Sequence, residues 1–256
     1  MLDNHYDGAT AIQNAEALIR SGVDLILEFN VVHEVAPVIG HRVAAAGIPL
    51  IAIDIPHPNA IFFGVDNYRV GMDAGELLVA HAIEHWSGKA DVVLGLDLPA
   101  AGALVQGRVS GAFEAVREAI PTIAAEDYIR LDGRGQLELS RKLVGEFLDS
   151  HPKLKRILIA AATDSSALGA AVAVRERRRM RQVAVVGQDC IADAMAEMKR
   201  SDSPLIGTIS HEIATYGPGL MHLALELLRG QAVQPYNYVT HRVVSRKSVL
   251  RSAGKT

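Results

Sequence analysis

The sequence predicts an α/β protein whose parallel sheets are covered by helices on both faces. Continuous apolar runs of strand length alternate with amphipathic helical stretches along most of the 256 residues, and a sheet buried on two sides requires that alternation. Two successive segments, LIRSGVDLILEFN and VAAAGIPLIAIDIP, repeat one plan of helix, glycine stop and apolar strand. The apolar runs also finish on polar side chains, at the strand ends where doubly wound folds bind their ligands.

Taken in order, Ile12, Ala15, Leu18 and Ile19 recur at helical spacing, Gly22 stops the helix with a left-handed cap, and Leu25 to Phe29 reads as a buried strand. Gly47 plays the same part between the next helix and the strand that ends at Asp54. AIFFGV at 60–65 is strand-like. DVVLGLD at 91–97, RILIAAATD at 156–164, QVAVVGQD at 182–189, PLIGTISH at 204–211 and NYVTHRVVS at 237–245 read as further strands. Helices are predicted around 68–85, 106–119, 136–150, 165–179, 191–200 and 213–229. The first helix has no strand ahead of it, although in a parallel sheet a helix is the crossover between two strands.

Composition narrows the function. With 49% hydrophobic and 5% aromatic residues the chain can bury a large core, in one domain or in two lobes. A net charge of −3 over 21% charged residues offers no electrostatic footprint for nucleic acid. The one basic run, RERRRMRQ at 175–182, closes a helix, where positive charge complements the macrodipole, and reads as a solvated end. Cys190 is the only cysteine, so no internal disulfide forms, and its expected role is a small buried hydrophobe. No apolar run approaches the ~20 residues of a membrane-spanning helix, so no membrane insertion is predicted.

The last residues of the apolar runs are Asn30, Asp54, Asp97, Thr163 with Asp164, Asp189 and His211. Any one of them alone is explained as a cap of the following helix. Asp164, ahead of SSALGAAVAV, is the best such cap, whereas Asn30 and His211 stand too far from their helices. The position they share points to a pocket. A reaction centre is harder to find. There is no glycine-rich phosphate loop, GRG at 133–135 lacks the third glycine, and no G-x-S-x-G elbow occurs. No catalytic residue and no cofactor are predicted. His81 and His85 lie at i,i+4, but no third ligand is placed near them; they read as a solvated helix face and no metal is predicted.

The stretches SGVDLILEFN, AAGIPLIAIDIP, FFGVDNYRVGMDAGELL, GRVSGAF, ATDSSALGAAVAV, VAVVGQD and IGTISHEIATYGPGLMHLALELLRGQ occur in this order. Together they resemble the sugar-binding (ribose/galactose-like) proteins of the type I periplasmic-binding-protein fold, which also forms the effector domains of lac-repressor-type regulators. The resemblance implies two doubly wound parallel-sheet lobes joined by a three-strand hinge, residues 1–98 with 212–238 forming lobe 1 and 99–211 with 239–256 lobe 2. It also implies a fragment, with the first strand and helix of lobe 1 missing. By the same resemblance Asn30 and Asp54 reach a ligand from lobe 1, Arg108, Thr163 and Asp189 reach it from lobe 2, and His211 lies at the hinge.

Such a set suits a polyol. Carboxylates only accept hydrogen bonds and a guanidinium donates several in a fixed fork, while a sugar hydroxyl does both. The implied function is a periplasmic solute-binding protein, not an enzyme, that closes over a sugar or similar polar small molecule and delivers it to the permease of an ABC importer. Nucleic acid is not an expected partner of this chain. The alternative is the ligand-sensing effector domain of a lac-repressor-type regulator, because fold alone does not separate the two.

Overall fold

The computed structural model describes residues 1–253, divided between two α/β units. The first consists of Met1–Asp66, Ala100–Val105 and Glu212–Thr240; the second consists of Asn67–Pro99, Gln106–His211 and the chain from His241 on. In chain order the elements are α1 (Gly8–Arg20), β1 (Ile26–Glu28), α2 (Ala36–Ala45), β2 (Leu50–Ile53), β3 (Ile61–Gly64), α3 (Asn67–Trp86), β4 (Val92–Asp97) and α4 (Ala103–Ala119). There follow β5 (Tyr128–Asp132), α5 (Leu137–Ser150), β6 (Ile157–Ala161), α6 (Asp164–Glu176), β7 (Val183–Gln188) and α7 (Ala192–Met198). The chain closes with β8 (Leu205–Ser210), α8 (Tyr216–Leu228), β9 (Tyr236–Tyr238), β10 (Arg242–Ser245) and α9 (Arg246–Ala253).

The first unit is built on a parallel sheet of order β1-β2-β3-β9. Its strands alternate between two cores. Ile26 and Leu50 pack with Ala11 and Ala15 of α1 and with Ile39 and Val43 of α2, while Ile51 and Phe63 pack with Leu223 and Ala224 of α8 on the opposite face. The glycine stops act as the sequence requires. Gly22 (φ 66°) and Gly47 (φ 72°) take the left-handed conformation and turn the chain into β1 and β2. Among the described residues β1 is paired on one side only.

The second unit carries a six-stranded sheet of order β10-β8-β7-β6-β4-β5, parallel throughout except that β10 runs antiparallel to β8. Leu94, Leu96, Ile157 and Ile159 pack with Val144 and Leu148 of α5 and Ala167 and Ala170 of α6. On the same sheet α3 packs against β6, β7 and β8.

Two expectations are corrected here. Residues 67–98 do not accompany 1–66, because β4 hydrogen-bonds to β5 and β6 and α3 covers their sheet. The chain thus changes unit after Asp66, not after residue 98, and it does so on the two residues between β3 and α3, where no loop signal marks the passage. The run 237–245 is likewise two strands. Tyr236–Tyr238 lies beside β3, whereas Arg242–Ser245 lies beside β8, and the passage between units at Thr240 separates them. Two elements were not predicted: β5, an edge strand without a continuous apolar run, and the polar helix α9.

Candidate ligand-binding site

In the first unit, Asn30 and Asp54 stand just beyond the ends of neighbouring parallel strands. Glu28 pairs with Ala52 at the end of the β1–β2 register, and Asn30 and Asp54 each follow two residues later. Asn30 is buried. Its Oδ1 accepts from the Val32 N–H at 3.1 Å, which closes an Asx turn, while its Nδ2 has no partner. A buried amide without an acceptor is costly in a finished structure and marks a place that a ligand oxygen can complete. Asp54 accepts from the Tyr216 hydroxyl at 2.9 Å. Its backbone is left-handed (φ 58°), a strained state for a residue with a Cβ, and Gly64 leaves room for its carboxylate.

In the second unit, α4 delivers Arg108 and the ends of β6, β7 and β8 deliver the rest. Helices α3 and α4 cross at glycines. A Cβ on Gly71 would lie 2.5 Å from the Arg108 carbonyl oxygen and one on Gly75 would lie 2.6 Å from that of Ala112. This close approach, written in the sequence as VGMDAG and GRVSG, puts Asn67 within reach of Arg108. The buried guanidinium donates from Nε to Asn67 Oδ1 (2.7 Å) and from Nη1 to the Ala162 carbonyl (2.9 Å), with Asp189 Oδ1 at 3.8 Å from Nη1. Its aim is therefore set by the protein before any ligand arrives.

Asp189 follows β7 with φ 106°, and Cys190 after it has φ 63°. Two successive non-glycine residues in the left-handed region are backbone strain, which collects at functional sites. His211 is buried after β8, its Nδ1 3.6 Å from Asp189 Oδ1 and its Nε2 3.2 Å from Gln188 Oε1. Burial first, then Arg108 and His241, pushes its imidazole down to about 2. His211 is therefore neutral, and its approach to Asp189 is a dipolar contact and not an ion pair.

The structure thus brings Arg108, Asp189 and His211 together in the second unit, while in the first Asn30 and Asp54 follow the neighbouring strands β1 and β2. Thr163 directly follows Ala162, whose carbonyl holds Arg108. Its hydroxyl oxygen also accepts from the Ser166 N–H at 3.2 Å, so Thr163 caps α6. Asp164, expected as that cap, is instead fully buried and accepts from the Thr208 hydroxyl (2.7 Å) and the Ile191 N–H (2.9 Å). Asp97, another strand-end carboxylate, is taken by Arg130 and the Leu98 N–H. In the basic run, Arg175 and Arg177 pair with Glu197 and Asp149, and Arg179 donates to the carbonyls of Leu148, in the last turn of α5, and His151, just after it. Sequence reasoning missed the supporting residues Asn67, Gln188 and Tyr216. Gln188 had a signal: it is a long polar side chain one residue before Asp189, buried inside an otherwise apolar strand.

The sequence profile of the periplasmic binding protein domain matches residues 1–232. The chain belongs to this family. A curated relative of this periplasmic binding protein, the D-ribose/D-allose-binding protein of Pseudomonas aeruginosa, is 27% identical over 234 residues, which is 88% of this chain and 69% of the relative. Solved structures of the same fold include an ABC transporter periplasmic solute-binding protein from Actinobacillus succinogenes 130z with bound D-allose. It superposes with a TM-score of 0.78 at 23% identity, covering 94% of this chain and 84% of the other. An ABC transporter solute-binding protein from Bacillus halodurans C-125 with bound myo-inositol gives a TM-score of 0.81 at 20% identity, covering 99% and 85%.

Proposed function

We propose that this periplasmic binding protein takes up a sugar or polyol in the periplasm and hands it to the permease of an ABC importer. The ligand's hydroxyls are held by Asn30 and Asp54 from the first unit and by Arg108, Thr163, Asp189 and His211 from the second. The observation that carries this reading is the pair of strand-end aspartates held in left-handed backbone, Asp54 and Asp189. Strain of that kind persists only where surrounding contacts over-determine it, and here it displays a carboxylate beyond a parallel strand. The donors beside them, the unpartnered Asn30 Nδ2 and the Arg108 guanidinium, complement hydroxyl oxygens. Charge-assisted bonds of about 1.5–3 kcal/mol each bring a small polyol to micromolar affinity, about −8 kcal/mol, with only a few of them. The named relatives, which bind D-ribose or D-allose, D-allose, and myo-inositol by their descriptions, point to the same ligand class and favour transport over a regulator's effector domain.

Isothermal calorimetry against D-allose, D-ribose, allitol and myo-inositol tests the reading. Saturable binding of one of them, lost in Asp189→Ala, is the expected result. A flat titration with all four, on a protein shown to be folded, contradicts it.

A further inference from the structure

Two buried atoms of the first unit lack hydrogen-bond partners and face each other: Glu28 Oε1 and His57 Nε2, 3.9 Å apart. The Glu28 side chain is 6% exposed and that of His57 is 0% exposed. A buried polar atom left unsatisfied is costly, and a small side-chain adjustment that closes the 3.9 Å gap to hydrogen-bond distance would let one hydrogen satisfy both. The His57 ring is already oriented to receive it. Its Nδ1 lies 3.0 Å from the Ile55 carbonyl oxygen, which only accepts, so Nδ1 carries the ring hydrogen and Nε2 turns a lone pair toward Glu28.

We propose that Glu28 and His57 are positioning residues that hold one proton between them, Glu28 Oε1–H donating to His57 Nε2. The bond ties the end of β1 to the loop after β2. Glu28 ends β1 two residues before Asn30, and His57 stands three residues after Asp54. The proton thereby sets the spacing of Asn30 and Asp54, an inference that rests on reading those two as ligand residues. When the proton leaves for solvent, a carboxylate faces a lone pair and the tie breaks.

The protonation states agree with the geometry. Burial pushes the Glu28 carboxyl up to about 7, against a hydrogen bond from Asn4 that favours the charged form. Burial also holds the His57 imidazole below its usual range; the Ile55 carbonyl opposes this and His33, the titratable neighbour acting on the ring, adds to it. Burial thus favours the neutral form of both groups, one a donor and the other an acceptor.

The test is an NMR titration of the isotope-labelled full chain from about pH 5 to about pH 9, bracketing the range in which a raised carboxyl titrates. The Glu28 carboxyl carbon, the His57 Nε2 and the backbone amides of Asn30 and Asp54 should move with one common midpoint, at least about one unit above the ordinary carboxylate range. Glu28→Gln keeps a donor toward Nε2, so it should abolish that midpoint and hold the Asn30 and Asp54 amides at their low-pH positions. Titration of Glu28 in the ordinary range overturns the proposal, and so do Asn30 and Asp54 amides that stay still while Glu28 titrates. If Glu28→Gln does not fold, the wild-type titration alone decides by the same criteria. A parallel D-allose titration keeps the two readings apart. Absence of binding at every pH counts against the sugar reading, while the ligand-free NMR midpoints still decide the proton.

Discussion

Replacing Arg108 by alanine separates an arginine that is merely near a ligand from one that the fold itself has locked in place. The side chain is 8% exposed and makes two charge-assisted bonds, to Asn67 Oδ1 at 2.7 Å and to the Ala162 carbonyl at 2.9 Å. Each such bond is worth about 1.5–3 kcal/mol net. Alanine would remove both, leave two buried oxygens without donors and take the cation away from Asp189, while sparing the protein the desolvation of a guanidinium. The balance is a loss of about 3–4 kcal/mol, in the range found when one partner of a buried charge network is removed. For a unit of this size that lowers the melting temperature by roughly 6–16 °C. Urea unfolding followed by Trp86 fluorescence measures it directly, because Trp86 is the only tryptophan and ends α3 in the second unit. Arg108→Lys, which keeps the charge but loses the planar fork, should fall between the two. An alanine variant whose urea midpoint matches wild type would refute the claim that the protein holds this guanidinium in advance of the ligand.

Three other outcomes are expected. Asp189→Gly should be more stable than Asp189→Ala by about 1–2 kcal/mol in the same urea assay, since only glycine relieves a φ of 106°; both should lose the sugar in calorimetry. Thr163→Ala should cost about 1 kcal/mol through the lost cap on the Ser166 N–H, and Thr163→Asn should restore it, as chemical denaturation will show. Burial raises the Asp164 carboxyl to about 7 from an ordinary 3.8. A group raised on folding stabilises fully below its unfolded value and loses that contribution as pH rises. The stability difference between wild type and Asp164→Asn should therefore shrink between about pH 4 and about pH 7, and a difference that grows over that range would contradict the assignment.

The parts of the fold visible in the sequence are those set by local physics. Gly22 and Gly47 stop helices because only glycine adopts their φ cheaply, and the apolar runs that became β2, β4, β6, β7 and β8 had to be buried on both faces. What stayed hidden depends on partners distant in the chain. The passage after Asp66 carries no loop signal, since β3 and α3 are separated by two residues and yet belong to different units. The exchange of roles between Thr163 and Asp164 had the same origin. Either is a good cap by composition, and Thr208 and the Ile191 N–H, contributed by β8 and the turn before α7, draw Asp164 inward. Asn67 and Tyr216 bear on the site through Arg108 and Asp54, so that part of their value could not appear before the fold assembled them.

Three of the chain's crossings between the units fall on residues bound into the second unit's polar network. Asn67, its first residue, holds Arg108; His211, the last before the chain departs, touches Gln188 and lies beside Asp189; His241, the first on return, bonds Asp73 at 2.7 Å. Recognition and connection are thus written in the same few side chains. A solute that repositions Arg108 acts directly on Asn67 at one of the chain's crossing points, and a substitution of Asn67 will alter selectivity although it is outside the set proposed to hold the cargo.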